Sequence, residues 1–136
     1  MIVMEEKYLF CVPQKALIEK EGKFLIIKRS AADHVFPGHW DLPGGKLEHN
    51  EKPQDGLKRE VREETNLEIN VFDPVFSYLE TEFVQAYLTV FECELVSEEI
   101  KLSNEHTEYK WATKEEIQTL LIEPYVKELF EKNKLK

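Results

Sequence analysis

The chain reads as an α+β protein, a mixed-sheet sandwich, and not as a run of alternating βα units. Three features carry that reading. Strand-forming runs stand on both sides of one strong helical segment, residues 53–65. Further helix signals appear only near the C-terminus. Between the first strands and the central helix lies "SAADHVFPGHWDLPGGKLEHNEK", whose Gly, Pro, Asp and His make it mostly loop.

Taken in order, Tyr8 to Lys20 mixes apolar and polar residues with β-formers and is interrupted by Pro13. "KFLIIKR" follows the turn signal "EKEGK" and reads as a buried strand. Pro53 suits the first turn of a helix, where its missing N–H leaves nothing unpaired. That helix runs to about Thr65, with Asn66 as a left-handed cap. "LEINVF", "VFSYLE" and "QAYLTVFECEL" are three strand candidates, and "EYKWA" is a fourth. Thr113 and Glu116 form a capping box that predicts a helix through Leu121. Pro124 interrupts it or opens a further helical turn reaching Phe130.

Composition excludes several classes. The 136 residues suffice for one domain with a real core. A net charge of −9 disfavours nonspecific nucleic-acid binding, which needs clustered Lys and Arg, but favours divalent cations and, through them, anionic substrates. Cys11 and Cys93 form no CxxC pair and read as small apolar residues. No apolar run approaches a membrane span, and the first ten residues lack signal-peptide order, so the expected location is the cytoplasm.

The segment "LKREVREETNL" opposes its own helix physics. Glu60, Glu63 and Glu64 fall in one narrow sector near the helix C-terminus, where the dipole prefers cations. Glu60 and Glu64 are also a like-charged i,i+4 pair. Groups outside the helix are expected to neutralise them. Just upstream, Gly44 and Gly45 let backbone approach a ligand closely.

From Gly44 to Leu67 the chain resembles the Nudix box, G-x5-E-x7-R-E-U-x-E-E-x-G-U with U aliphatic. Gly45, Glu51, Arg59, Glu60, Val61, Glu63, Glu64 and Leu67 match, and Asn66 replaces the final Gly. "FLIIKRS", "WDLPGGKLE" and "NEHTEYKWATKEEI" resemble MutT-type members as well. The resemblance implies a single domain over residues 1–136, a Nudix-type α/β/α sandwich with a mixed sheet and a loop-helix-loop motif at 45–67.

It also implies Mg²⁺-dependent hydrolysis of a nucleoside diphosphate linked to another group, Mn²⁺ being able to substitute. By analogy Gly44, Glu60, Glu63 and Glu64 hold metal, with Glu60 alternatively the base. Glu51 and Arg59 pair to fix the loop, and Glu105 is a further metal ligand, with Glu108 its rival. Arg29 resembles an arginine that meets phosphates, and Gly45 lies against the substrate. Trp40 and Phe36 are either core residues or base-stacking ones. Tyr8, Phe10, Phe83 and Tyr87 are either strand core or pocket wall. The expected substrate is a nucleoside triphosphate, canonical or oxidised. ADP-ribose or another nucleotide sugar is the alternative, though the expected proline is missing from "ETEFVQ". A noncatalytic nucleotide sensor is the alternative from another class. Expected partners are the small-molecule nucleotide alone, without stable nucleic-acid or membrane binding, in a monomer or homodimer.

Overall fold

The structure is a computed structural model that describes residues 9–132. Its strands are β1 (Pro13–Lys20), β2 (Lys23–Arg29), β3 (Trp40–Asp41), β4 (Gly44–Lys46), β5 (Ile69–Glu80), β6 (Ala86–Leu95) and β7 (His106–Ala112). Its helices are α1 (Pro53–Thr65), α2 (Lys114–Ile117) and α3 (Pro124–Lys132). The main strand order is β3-β2-β1-β6-β5, with β4 paired to β1 and β7 to β2. β1 and β6 run parallel while the other pairs are antiparallel, so the sheet is mixed.

Period-2 alternation sorts the core onto two faces. Ala16, Ile18 and Leu25 point to the face covered by α1, where they meet Leu57, Val61 and Phe91. Leu17, Phe24 and Ile26 point the other way and pack with Tyr125, Val126, Leu129 and Phe130 of α3. Both faces are covered, giving the α/β/α sandwich. The β1–β2 turn uses Glu21 and Gly22, both at positive φ (52° and 78°), as a two-residue hairpin with the sheet's own twist requires.

α1 spans the expected residues, and Asn66 caps it at φ 67°, its N–H donating to the Arg62 carbonyl. The Thr113–Glu116 capping box closes in both directions. Pro13 does not interrupt a strand; it opens β1, a position where a proline loses no ladder bond. Tyr8 lies outside the described residues.

Two further expectations are corrected. "LEINVF" and "VFSYLE" are not separate strands but the single strand β5, whose register against β6 shifts on both sides of Pro74. β5 ends the strand order, and an edge strand absorbs a proline through bulges. The helix opened by Thr113 stops at Ile117 and does not continue to Leu121. The Leu121 carbonyl accepts the Trp40 N–H, and Glu123 N–H donates to the Trp40 carbonyl, so pairing with β3 pulls this segment out of the helix.

Leu57 is fully buried between α1 and the sheet. Leu57→Ala should therefore lower stability by roughly 2–5 kcal/mol, measured as a reduced urea midpoint with unchanged slope.

Candidate active site

The site begins with a close backbone approach. At Gly44, φ 140°, a Cβ would lie 2.0 Å from the Gln14 carbonyl oxygen, so only glycine lets β4 lie against β1 here. The Gly44 N–H then donates to Glu64 Oε1 at 2.7 Å, tying the end of α1 to β4. A Cβ on Gly45 would lie 2.5 Å from the Glu60 carboxyl carbon. Gly56 gives room to Leu47 and Glu51 of the loop after β4.

Arg59 gathers the loop and the helix carboxylates. Its Nε and NH2 donate to Glu51 Oε2 and Oε1 at 2.7 and 2.9 Å. NH2 also reaches the Lys46 carbonyl at 3.2 Å. NH1 donates to Glu60 at 3.0 Å and Glu63 at 3.2 Å. Glu51 also accepts the Glu48 N–H at 2.9 Å. Arg59, then this backbone donor, hold the Glu51 carboxyl at about 2. Charge compensation for Glu60 and Glu63 thus comes from within the helix, whereas Glu64 is served from outside it by Gly44 and by the charge of Lys15.

Burial dominates at Glu64 and Glu60. It pushes Glu64, 7% exposed, up to about 8 and also raises Glu60. The C-terminal carbonyls of α1 are completed by the following loop: Lys101 N–H donates to Thr65 O and Ser103 N–H to Glu64 O, both at 2.9 Å. That docking delivers Glu105 and His106 beside Glu64. One ligand atom from each of these three lies within 4.8 Å of the others. Burial holds His106 down to about 4, so its ring is neutral near pH 7.

These groups line a cavity of about 670 Å³ together with Gly44, Gly45, Arg29 and Glu63. Behind its wall, Lys15 Nζ donates to the buried Asp41 Oδ2 at 2.9 Å, Arg29 NH1 reaches the same oxygen at 3.2 Å, and Tyr125 Oη donates to Asp41 Oδ1. Burial alone would raise Asp41, but Lys15, Glu123 as hydrogen-bond donor and Arg29 outweigh it and keep Asp41 ionised. Burial first, then the Asp41 charge, keeps Glu123 protonated.

Comparison with known proteins agrees with this geometry. The NUDIX domain family model matches residues 16–132. The chain belongs to the Nudix family. Among curated relatives, the nucleoside triphosphatase NudI of Enterobacter sp. (strain 638) is 30% identical over 86% of this chain and 89% of its own. The MutT protein of Methanosarcina mazei Go1 superposes with a TM-score of 0.84 at 32% identity, covering 94% of this chain and 95% of that one. The E. coli ORF135 protein superposes at 0.75 with 27% identity, covering 90% and 86%. The chain is a MutT-like Nudix hydrolase, a pyrophosphohydrolase by class.

Within this Nudix site, Glu51, Arg59, Glu60, Glu63 and Glu64 converge around the glycine pair. Glu105 lines the cavity, while its rival Glu108 pairs with Lys28 at 3.3 Å away from it. Trp40 is corrected: it is only 8% exposed, packs in the α3-side core and does not line the cavity. Its backbone is held between Lys28 and Ile122, which turns the ring inward. Phe36 does line the cavity, with Phe83 edge-on to it at 4.7 Å. Phe10 and Tyr87 pair on the surface, about half exposed.

Sequence reasoning passed over Lys15, Asp41, His106, Glu123 and Tyr125. No local pattern marks them except, for His106, adjacency to Glu105. Among the described residues, no helix is long and apolar enough to cross a membrane.

The Glu51 value lies below its ordinary 4.5. The Glu51–Arg59 clasp therefore contributes fully above that value and is lost as pH falls toward about 2. Carboxyl NMR should place the Glu51 midpoint near 2, and Arg59→Gln should return it toward 4.5.

Proposed function

We propose that this chain hydrolyses nucleoside triphosphates, canonical or oxidised, to the monophosphate and pyrophosphate, with Mg²⁺ and with Mn²⁺ as a substitute. One observation carries the reading: the carboxylates of Glu60, Glu63, Glu64 and Glu105 meet Arg29 in a single cavity of ligand size, about 670 Å³. The similarity to a protein named nucleoside triphosphatase NudI supports the choice of substrate over a nucleotide sugar.

The residues fit a divalent cation. Their donor set is carboxylate and carbonyl oxygen, suited to Mg²⁺, and carboxylate oxygens of Glu64 and Glu105 already lie within 4.8 Å of each other. Glu60, Glu63, Glu64, Glu105 and the Gly44 carbonyl would hold it. When bound, the metal supplies charge neutralisation at the phosphates and a more acidic water.

The protein's own contribution is positional and electrostatic. The Gly44 N–H fixes the Glu64 carboxylate, and Arg59 fixes Glu51, Glu60 and Glu63. Gly45, lacking a side chain, leaves the Glu60 carboxylate room against the glycine pair. Arg29 presents a guanidinium, 20% exposed, to the phosphates, anchored by Asp33 and Asp41. A site carboxylate, Glu60 or one of its neighbours, takes the proton of the attacking water as the new P–O bond forms and pyrophosphate leaves.

Glu63→Gln and Glu64→Gln should each lower kcat by roughly 10²–10⁴-fold, the scale of a lost general base or charge contact. Product chromatography on a nucleotide panel should show a monophosphate and pyrophosphate. Activity should vanish with excess chelator and return with Mg²⁺ or Mn²⁺. Nucleotide binding without turnover in the parent protein would show a sensor instead.

A further inference from the structure

Among the buried cavity-lining groups that the proposed chemistry leaves unused, His106 is the one set beside the carboxylates of Glu64 and Glu105. His106 is 8% exposed and lines the cavity, and its Nδ1 is buried without a hydrogen-bond partner. It does not stand alone there. A ring nitrogen lies within 4.8 Å of carboxylate oxygens from both Glu64 and Glu105.

Two features of the fold hold the ring in that place. β7 begins at His106, and the register shift between Lys28 and Arg29 sets His106 opposite Arg29. The preceding loop hangs on the end of α1, with Ser103 N–H on the Glu64 carbonyl and His106 N–H on the Ser103 carbonyl at 3.3 Å. The imidazole is therefore positioned by the same contacts that position Glu64 and Glu105. A buried nitrogen without a partner loses its water and gains nothing unless a ligand arrives.

We infer that His106 is a nitrogen ligand of the cation held by Glu64 and Glu105, and that it tilts the site toward Mn²⁺ and Co²⁺ over Mg²⁺. Mg²⁺ prefers an all-oxygen shell, whereas imidazole strengthens binding of later first-row ions. A site of two carboxylates and one imidazole accepts Mg²⁺ but binds the transition ions more tightly. The inference rests on the metal-dependent reading above and adds a residue and a preference that the box does not contain.

The test loads the full chain with Mn²⁺ and reads electron spin-echo envelope modulation. A bound imidazole couples its nitrogen to the metal spin, and ¹⁵N labelling of the histidines replaces the ¹⁴N pattern. The modulation should be present in the parent and in His34→Gln, since His34 also lines the cavity, and absent in His106→Asn. Competition titrations should show the Co²⁺ over Mg²⁺ preference falling about tenfold or more in His106→Asn, at least the loss that follows removal of a metal-supporting residue.

Bound Mn²⁺ without nitrogen modulation in the parent, or modulation kept in His106→Asn, overturns the inference and leaves the hydrolase reading standing. No uptake of Mn²⁺ by the parent, even with a non-hydrolysable nucleotide, overturns both. Should circular dichroism show His106→Asn unfolded, the parent is compared with His34→Gln, His39→Gln and His49→Gln. Modulation surviving in all three assigns the nitrogen to His106, and its loss in any one of them overturns the assignment.

Discussion

The site depends on the contact between the backbone of Gly44 and that of β1. No side chain fits there, since a Cβ would fall 2.0 Å from the Gln14 oxygen. Because the strands can close, the Gly44 N–H reaches Glu64 and pins the last turn of α1. The exposed carbonyls of that turn then recruit the loop at 101–103. That loop carries Glu105 and His106 to the same place. A single absent methyl group thus aligns groups from β4, α1 and β7.

Charges around the cavity are arranged in two tiers. In the more exposed one, Arg59 clasps Glu51, Glu60 and Glu63. Deeper, Lys15, Arg29 and Tyr125 surround Asp41, with protonated Glu123 beside it. Burying the Lys15–Asp41 pair is weak evidence for stability, because desolvation offsets most of the attraction. Its consequence is positional: Tyr125 of α3 also accepts the Leu42 N–H at 3.0 Å, so the tier fastens α3 to the segment leading into the glycine pair. Arg29 carries the deeper tier to the cavity, being held by Asp41 and lining the cavity wall.

Much of the helical architecture was legible in the residues. Pro53 and Asn66 marked the limits of α1, and Thr113 with Glu116 marked the start of α2, because caps satisfy backbone groups locally. "KFLIIKR" was legible as β2 because an apolar run bounded by a turn has few other uses. The joining of two segments into β5 was not, since a proline in a strand is tolerated only where an edge lets it bulge. The short α2 was not either, since its end is set by pairing with Trp40, far away in the chain.

By itself, the sequence determined the box: which carboxylates share one helix face, where that helix begins and ends, and where glycine must stand before it. These are matters of spacing along one segment, written in consecutive residues. Only the tertiary structure decided that Trp40 faces the core, that Glu105 and not Glu108 faces the cavity, and that Lys15, Asp41, His106 and Glu123 meet. Those groups come from separate strands and loops, and their burial and charge partners arise only once the sheet brings distant residues within a few ångströms.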